Sequence, residues 1–136
     1  MSTSASLALQ KAVFAALAGD ATLLARLGGA RIHDDAPQAG PYPCMTFGQS
    51  SARDFGSVTE AAEEHVLTLH VWSRGGGKKE TLEIAAAARA VLHDAGLALD
   101  DHHLVNLRHE LTEARRDPDG ETIHGIVRFR AVTEPI

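Results

Sequence analysis

The tetrapeptide Asp117-Pro118-Asp119-Gly120 constrains this chain more than any other feature. Proline presets φ for a turn, aspartate bonds its own backbone, and glycine enters the left-handed region at no steric cost. A type I turn followed by a left-handed glycine is a common three-residue hairpin loop. Such a loop pairs Asp117 with Glu121. It sets Leu107, His109 and Leu111 opposite Ala131, Phe129 and Val127 on one side of the ribbon, with Glu110 opposite Arg128 on the other. A two-residue loop would shift the register by one and mix the faces, which the side-chain period of two forbids where one face is buried. The sequence therefore predicts a C-terminal β-hairpin with one apolar face, and that face needs cover.

The cover is legible upstream. Leu7, Leu9, Val13, Phe14 and Leu17 recur at near-helical spacing among alanines, and Gly19 ends that helix. Asp20 is placed to cap a short second helix through Leu23, Leu24 and Leu27, which Gly28-Gly29 breaks. Lys78 to Ala95 predicts the main helix, with Ile84, Ala88, Val91, Leu92 and Ala95 in one stripe and Gly96 just past its end. Between the helices, Arg31 to Asp34 reads as a brief strand, Cys44 to Gln49 as a second and His65 to Ser73 as the central one. Ala36 to Pro43 is a loop on its Pro and Gly content, Ser50 to Ala62 a long loop or mobile hairpin, and Arg74-Gly75-Gly76-Gly77 a flexible joint. Strands do not alternate regularly with helices, so the expected class is α+β: a mainly antiparallel sheet with helices packed on one face. At 136 residues the chain is the size of one domain, residues 1–136.

Hydrophobic content of 44% and charged content of 23% are close to globular averages, which argues against disorder. The net charge of −5 disfavours a nucleic-acid reader, because phosphate contacts require cations. Met1 to Gln10 offers neither a basic segment nor a sustained apolar run, so no signal peptide is expected. No apolar stretch approaches the roughly 18 residues of a membrane span. A start in the cytoplasm follows as the expectation.

Searches for chemistry return little. His102, His103 and His109 are the tightest of the eight histidines, but adjacent residues on a strand point to opposite faces, whereas a zinc site wants convergent ligands. Cys44, the only cysteine, excludes an internal disulfide and reads as a buried, inert thiol. No G-x-S-x-G elbow is present. Gly75-Gly76-Gly77-Lys78-Lys79 lacks the glycine spacing and the Ser or Thr after Lys of a phosphate-binding loop. Lys78 and Lys79 at a helix start oppose the helix dipole, which suggests a carboxylate nearby. The reading is a non-enzyme with no catalytic, metal or cofactor-binding residues. Trp72 beside Arg74 suits a core position or an interface anchor equally, and Phe55 between Arg53-Asp54 and glycine suits burial on another chain. The candidate contact residues are Arg53, Asp54, Phe55, Trp72, Arg74, Lys78 and Lys79.

Taken along the chain, an amphipathic N-terminal helix leads through Pro41-Tyr42-Pro43 into a strand with Gly48. The strand His65-Val66-Leu67-Thr68-Leu69-His70-Val71-Trp72-Ser73-Arg74 follows, then a glycine joint, a helix closing on Leu92, and a hairpin with His124 and Val127-Arg128-Phe129-Arg130. This pattern resembles the tail-completion or tail-terminator family of long-tailed phages and gene transfer agents. The resemblance spans essentially the whole chain, and the strand ending Val-Trp-Ser-Arg is its most specific part. It implies a ring-forming subunit, a hexamer, without cofactor or enzymatic activity. Such a ring caps the tail tube protein, stops polymerisation and meets a head-side connector, while DNA passes through without specific binding or any membrane. A head-tail connector or stopper, a minor tail protein, and a small histidine-dependent metalloenzyme are the competing readings.

Overall fold

The computed structural model describes residues 4–35 and 41–136. Helix α1 (Ala5–Ala18) starts where the Ser4 hydroxyl accepts the Leu7 N–H, and α2 (Ala21–Leu27) where the Asp20 carboxylate accepts the Leu23 N–H. Gly28, at φ 77°, closes α2 in the left-handed conformation that only glycine adopts freely. Strands β1 (Ile32–His33), β2 (Cys44–Asp54) and β3 (Glu63–Ser73) follow, then α3 (Lys78–Leu92), β4 (His102–Arg116) and β5 (Ile123–Pro135). The sheet order is β1-β2-β3-β5-β4, with β1 parallel to β2 and every other pair antiparallel. The class is α+β, as the order of the elements in the sequence implied.

All three helices lie on one face of this sheet. Leu67, Leu69 and Val71 of β3, with Val127, Phe129 and Ala131 of β5, form a core with Leu9, Val13, Leu17, Ile84, Ala88 and Leu92. Phe129 is fully buried and meets His109 edge-on, the pairing the hairpin pattern predicted. Gly125 allows α3 to sit close, since a Cβ there would lie 2.5 Å from Cγ2 of buried Thr81. No single helix among the described residues is long and apolar enough to cross a membrane.

Three sequence expectations need correction, and one alternative left open by the sequence is resolved. The hairpin register holds from Leu107–Ala131 to His109–Phe129, but Asp117 donates its N–H to the carbonyl of Thr122, not Glu121. The loop is one residue longer than predicted because the Asp119 carboxylate accepts the Glu121 and Thr122 N–H groups and so orders the extra position. Bulges at Glu110 and Val105 absorb the offset, and Leu111 consequently pairs with Arg128, off the core face. Of the two readings of Ser50–Ala62, a long loop or a mobile hairpin, the chain forms the hairpin: β2 runs on to Asp54, and residues 55–62 return the chain to β3.

Helix α3 stops at Leu92 rather than Ala95. There His93 Nδ1 accepts the His109 N–H and the Asp94 N–H donates to the Leu107 carbonyl, so β4 pulls the segment out of helical geometry. Phe14, assigned to the core stripe of α1, is 44% exposed; with Leu7 it forms a second apolar stripe facing outward. The predicted loop from Ala36 to Pro43 lies outside the described residues through Gly40.

Candidate assembly surface

The face of the sheet opposite the helices is organised by polar and aromatic side chains. At the end nearest the β2–β3 turn, Glu64 of β3 accepts hydrogen bonds from Arg53 of β2 and Arg130 of β5, at 2.6 and 2.5 Å. These two arginines hold its carboxyl below the usual carboxylate range, Arg130 most strongly, against the opposing effect of burial. Arg130 also stacks over the Phe55 ring, 5.3 Å from its centroid. Phe55 is thus half-covered within its own chain, and Val58, three residues on, is wholly exposed.

The turn that follows them is closed by hydrogen bonds. The Phe55 N–H donates to the Ala62 carbonyl, the Ser57 N–H to the Glu60 carbonyl, and the Gly56 N–H to the Asp54 carboxylate. Gly56 is required sterically, since a Cβ there would lie 2.7 Å from the Glu60 carbonyl oxygen.

Further along the same face, Trp72 stacks flat on His124, ring centroids 4.1 Å apart, and donates its indole N–H to the Thr46 hydroxyl. His70 and His124 share a hydrogen bond of 2.6 Å. His70 lies across β2 only because residue 48 is glycine; a Cβ there would sit 2.2 Å from its Nε2. Beyond β3, Arg74 covers the Tyr42 ring at 4.4 Å and donates to the Thr122 hydroxyl, with Asp119 and Glu121 within 4 Å. Asp119 is pushed down to about 2, first by the backbone N–H and hydroxyl of Thr122, then by the Glu121 N–H, with Arg74 adding. At the start of α3, Lys79 finds a carboxylate in Glu83, one helical turn on, and Glu83 also binds Arg26 of α2.

The seven contact residues read from the sequence therefore fall into two groups. Arg53, Asp54 and Phe55 stand at one end of the sheet; Trp72, Arg74, Lys78 and Lys79 stand at or just beyond the other. The eight residue steps from Glu64 to Trp72 separate them by roughly 26 Å of strand, at about 3.3 Å per step. Sequence reasoning missed the His70–His124 pair because the two rings come from positions 54 residues apart. The alternation of β3, which puts His70 and Trp72 on one face, is the signal that could have found half of it.

The chemistry groups singled out in the sequence have structural surroundings. His109 bonds the Thr112 hydroxyl at 2.6 Å. The Cys44 thiol is buried and its pKa is raised by that burial, partly offset by Arg31, which disfavours the nucleophilic thiolate. Among the described residues, no three His, Cys, Asp or Glu side chains converge as metal ligands would. A depression of about 490 Å³ beside the first group is open and lined by Ser51, Arg53, Glu64, Val66, Glu110 and Arg130. Enclosing a small molecule calls for concave apolar walls, and this lining instead suits a protein surface.

Comparison with known proteins gives this geometry a context. The chain is similar over 126 residues to the tail completion protein gp17 of Bacillus phage SPP1, with 27% identity covering 93% of this chain and 92% of that one. It also superposes on a chain in the virion of a native gene transfer agent particle, with a TM-score of 0.87 and 30% identity, covering 98% of this chain and 99% of that chain. The family model for tail completion protein gp17 matches residues 11–134. The protein accordingly belongs to the tail completion protein gp17 family, and its role is that of a structural component of a phage-type tail.

Proposed function

We propose that the protein works without catalysis as one subunit of a ring, expected to be a hexamer, that closes the end of a finished tail tube. The ring stops tube polymerisation on one side and presents a surface to the head-side connector or stopper on the other. Assembly takes place in the host cytoplasm before the ring joins the particle, and DNA passes through it without specific recognition. The whole chain is the unit that assembles.

One observation of geometry carries the reading. A closed ring of identical subunits needs two different patches per subunit, each meeting a neighbour head to tail. The candidate residues fall towards the two ends of the sheet, Arg53, Asp54 and Phe55 at one and Trp72, Arg74, Lys78 and Lys79 at or beyond the other, which supports two separate contacts per subunit. Side chains, rather than continued strand pairing through β4, are assigned the contact. β4 carries two bulges and the charges of Arg108, Glu110, Glu113 and Arg115, and the 93–94 segment already bonds its Leu107 and His109 backbone. These are the devices by which edge strands avoid pairing with other chains.

Deleting the gene tests the proposal. Loss of a ring terminator yields particles with overlong or headless tails in electron micrographs. Tails of normal length that carry heads refute the ring. Normal-length tails without heads move the assignment to a connector or stopper, and short or absent tails to a minor tail component.

A further inference from the structure

Across the helix-free face, the Trp72 cluster brings together titratable groups that the assembly reading does not use. His70 Nδ1 and His124 Nε2 are 2.6 Å apart, His124 is 7% exposed, and its ring lies parallel to the Trp72 indole within 4°. We propose that His70 and His124 act as one protonation device, which keeps Trp72 stacked until the pair takes up a second proton.

The proton count sets the behaviour. A neutral pair holds one N–H between His70 Nδ1 and His124 Nε2, whichever ring donates. A singly charged pair keeps that bond, because an outward-facing ring nitrogen takes the added proton. A doubly charged pair sets N–H against N–H and cation against cation, so the rings must part. His70 has a route outward: it is only partly buried and lies over Gly48, where β2 offers no side chain to hold it. Once His70 swings out, Trp72 loses the His70 ring stacked beside it at 5.7 Å between centroids, and its indole gains access to water.

The surroundings fix where this happens. Arg115 of β4, paired in register with His124, disfavours a proton on both rings, and Asp117 favours one on His124. β2 contributes the neutral Cys44, Thr46 and Gly48, and β3 the neutral Thr68 and Trp72. Burial is the larger influence and, with Arg115, holds both rings below the ordinary histidine value. Two nitrogens are too few for a structural zinc site, which takes four ligands. The pair is therefore assigned to protons rather than to a metal.

Trp72 is the only tryptophan, so the emission of the full chain reports this stack directly. We would titrate the protein from about pH 8 to about pH 4.5, with EDTA present, and follow emission and far-ultraviolet circular dichroism together. The expected result is a red shift of the emission maximum with a midpoint below about 6.5, at pH values where the circular dichroism is unchanged. In His70→Gln, which keeps a polar group but cannot titrate, that shift is lost. An emission that does not move, one that moves only as the circular dichroism collapses, or one that persists in His70→Gln overturns the proposal. If His70→Gln does not fold, the wild-type ring-proton resonances decide. Shared two-step titrations of the two rings support coupling, and independent single steps refute it.

Discussion

The two faces of the sheet are stabilised by different physics. Beneath the helices, Leu67, Leu69, Val71, Val127 and Phe129 lose their water to other hydrocarbon, a gain that scales with area and depends little on angle. On the other face, order comes from directed pairs: Glu64 between two arginines, Trp72 on His124, His124 against His70. Apolar burial fixes where the sheet is; directed pairs fix what its open face presents. A protein whose work is contact with other proteins needs both, because a surface that fluctuates must be ordered again at each encounter.

The contrast can be tested in order of expected size. Phe129→Ala empties the centre of the covered face and should cost roughly 3–5 kcal/mol in urea unfolding. A loss below about 1 kcal/mol would mean that this face is not the core. Two of the tight glycines, Gly48 and Gly125, form a matched pair across the sheet. In Gly125→Ala the new methyl meets Thr81 Cγ2 at 2.5 Å, on a short buried side chain with nowhere to go, so a loss of about 2–3 kcal/mol is expected. In Gly48→Ala the methyl meets the end of the His70 side chain, which can swing into water. The loss should be about 1–2 kcal/mol, chiefly the broken His70–His124 bond, accompanied by altered Trp72 emission. Equal losses at the two glycines would remove the distinction between the faces.

Acid should weaken the fold next, by up to about 1.4 kcal/mol per pH unit for each buried histidine. His65 is the clearest case. It is 2% exposed and bonds the Thr133 hydroxyl, and burial lowers its pKa. Its folded pKa lies below its unfolded value near 6.5, so the unfolded chain binds the proton first. Stability is then complete above that value and is lost as pH falls below it. Urea midpoints that stay level from about pH 7 to about pH 5 would contradict this. The smallest effect belongs to Arg53→Ala. The Arg53 side chain is 73% exposed, so its ion pair should contribute less than about 0.5 kcal/mol. The same substitution is nonetheless expected to impair tail termination in a complementation assay, and wild-type tail lengths would remove Arg53 from the proposed contact.

Much of the fold could be read in advance, and the failures share a cause. The Asp20 cap, the Gly28 stop, the helical stripe through Ile84 and Ala88, and the strand from His65 to Ser73 are local, set by residues within a turn or two of one another. The sequence places the end of α3 at Ala95 because Gly96 is a good local stop, whereas the actual stop is made by Leu107 and His109 of a later strand. Phe14 is exposed against expectation because α1 is apolar almost all round, and only the position of the sheet chooses which stripe is buried. Ser50–Asp54 leaves loop and hairpin both open in the sequence because its polar, small residues have weak strand propensity; pairing with β3 decides for the hairpin. Of the candidate surface, single residues such as Phe55, Trp72 and Arg74 were legible, but their division into two groups was not.

By itself, then, the sequence determined the α+β class, the C-terminal hairpin and the alternation that separates a covered face from an open one. Those follow from backbone geometry and side-chain period, which act between near neighbours. Tertiary structure alone decided the bulges that move Leu111 off the core face, the stop of α3 at Leu92, and the meeting of His70 with His124 under Trp72. Each depends on groups distant in the chain competing for the same space or the same hydrogen bond, a contest settled only when the sheet assembles.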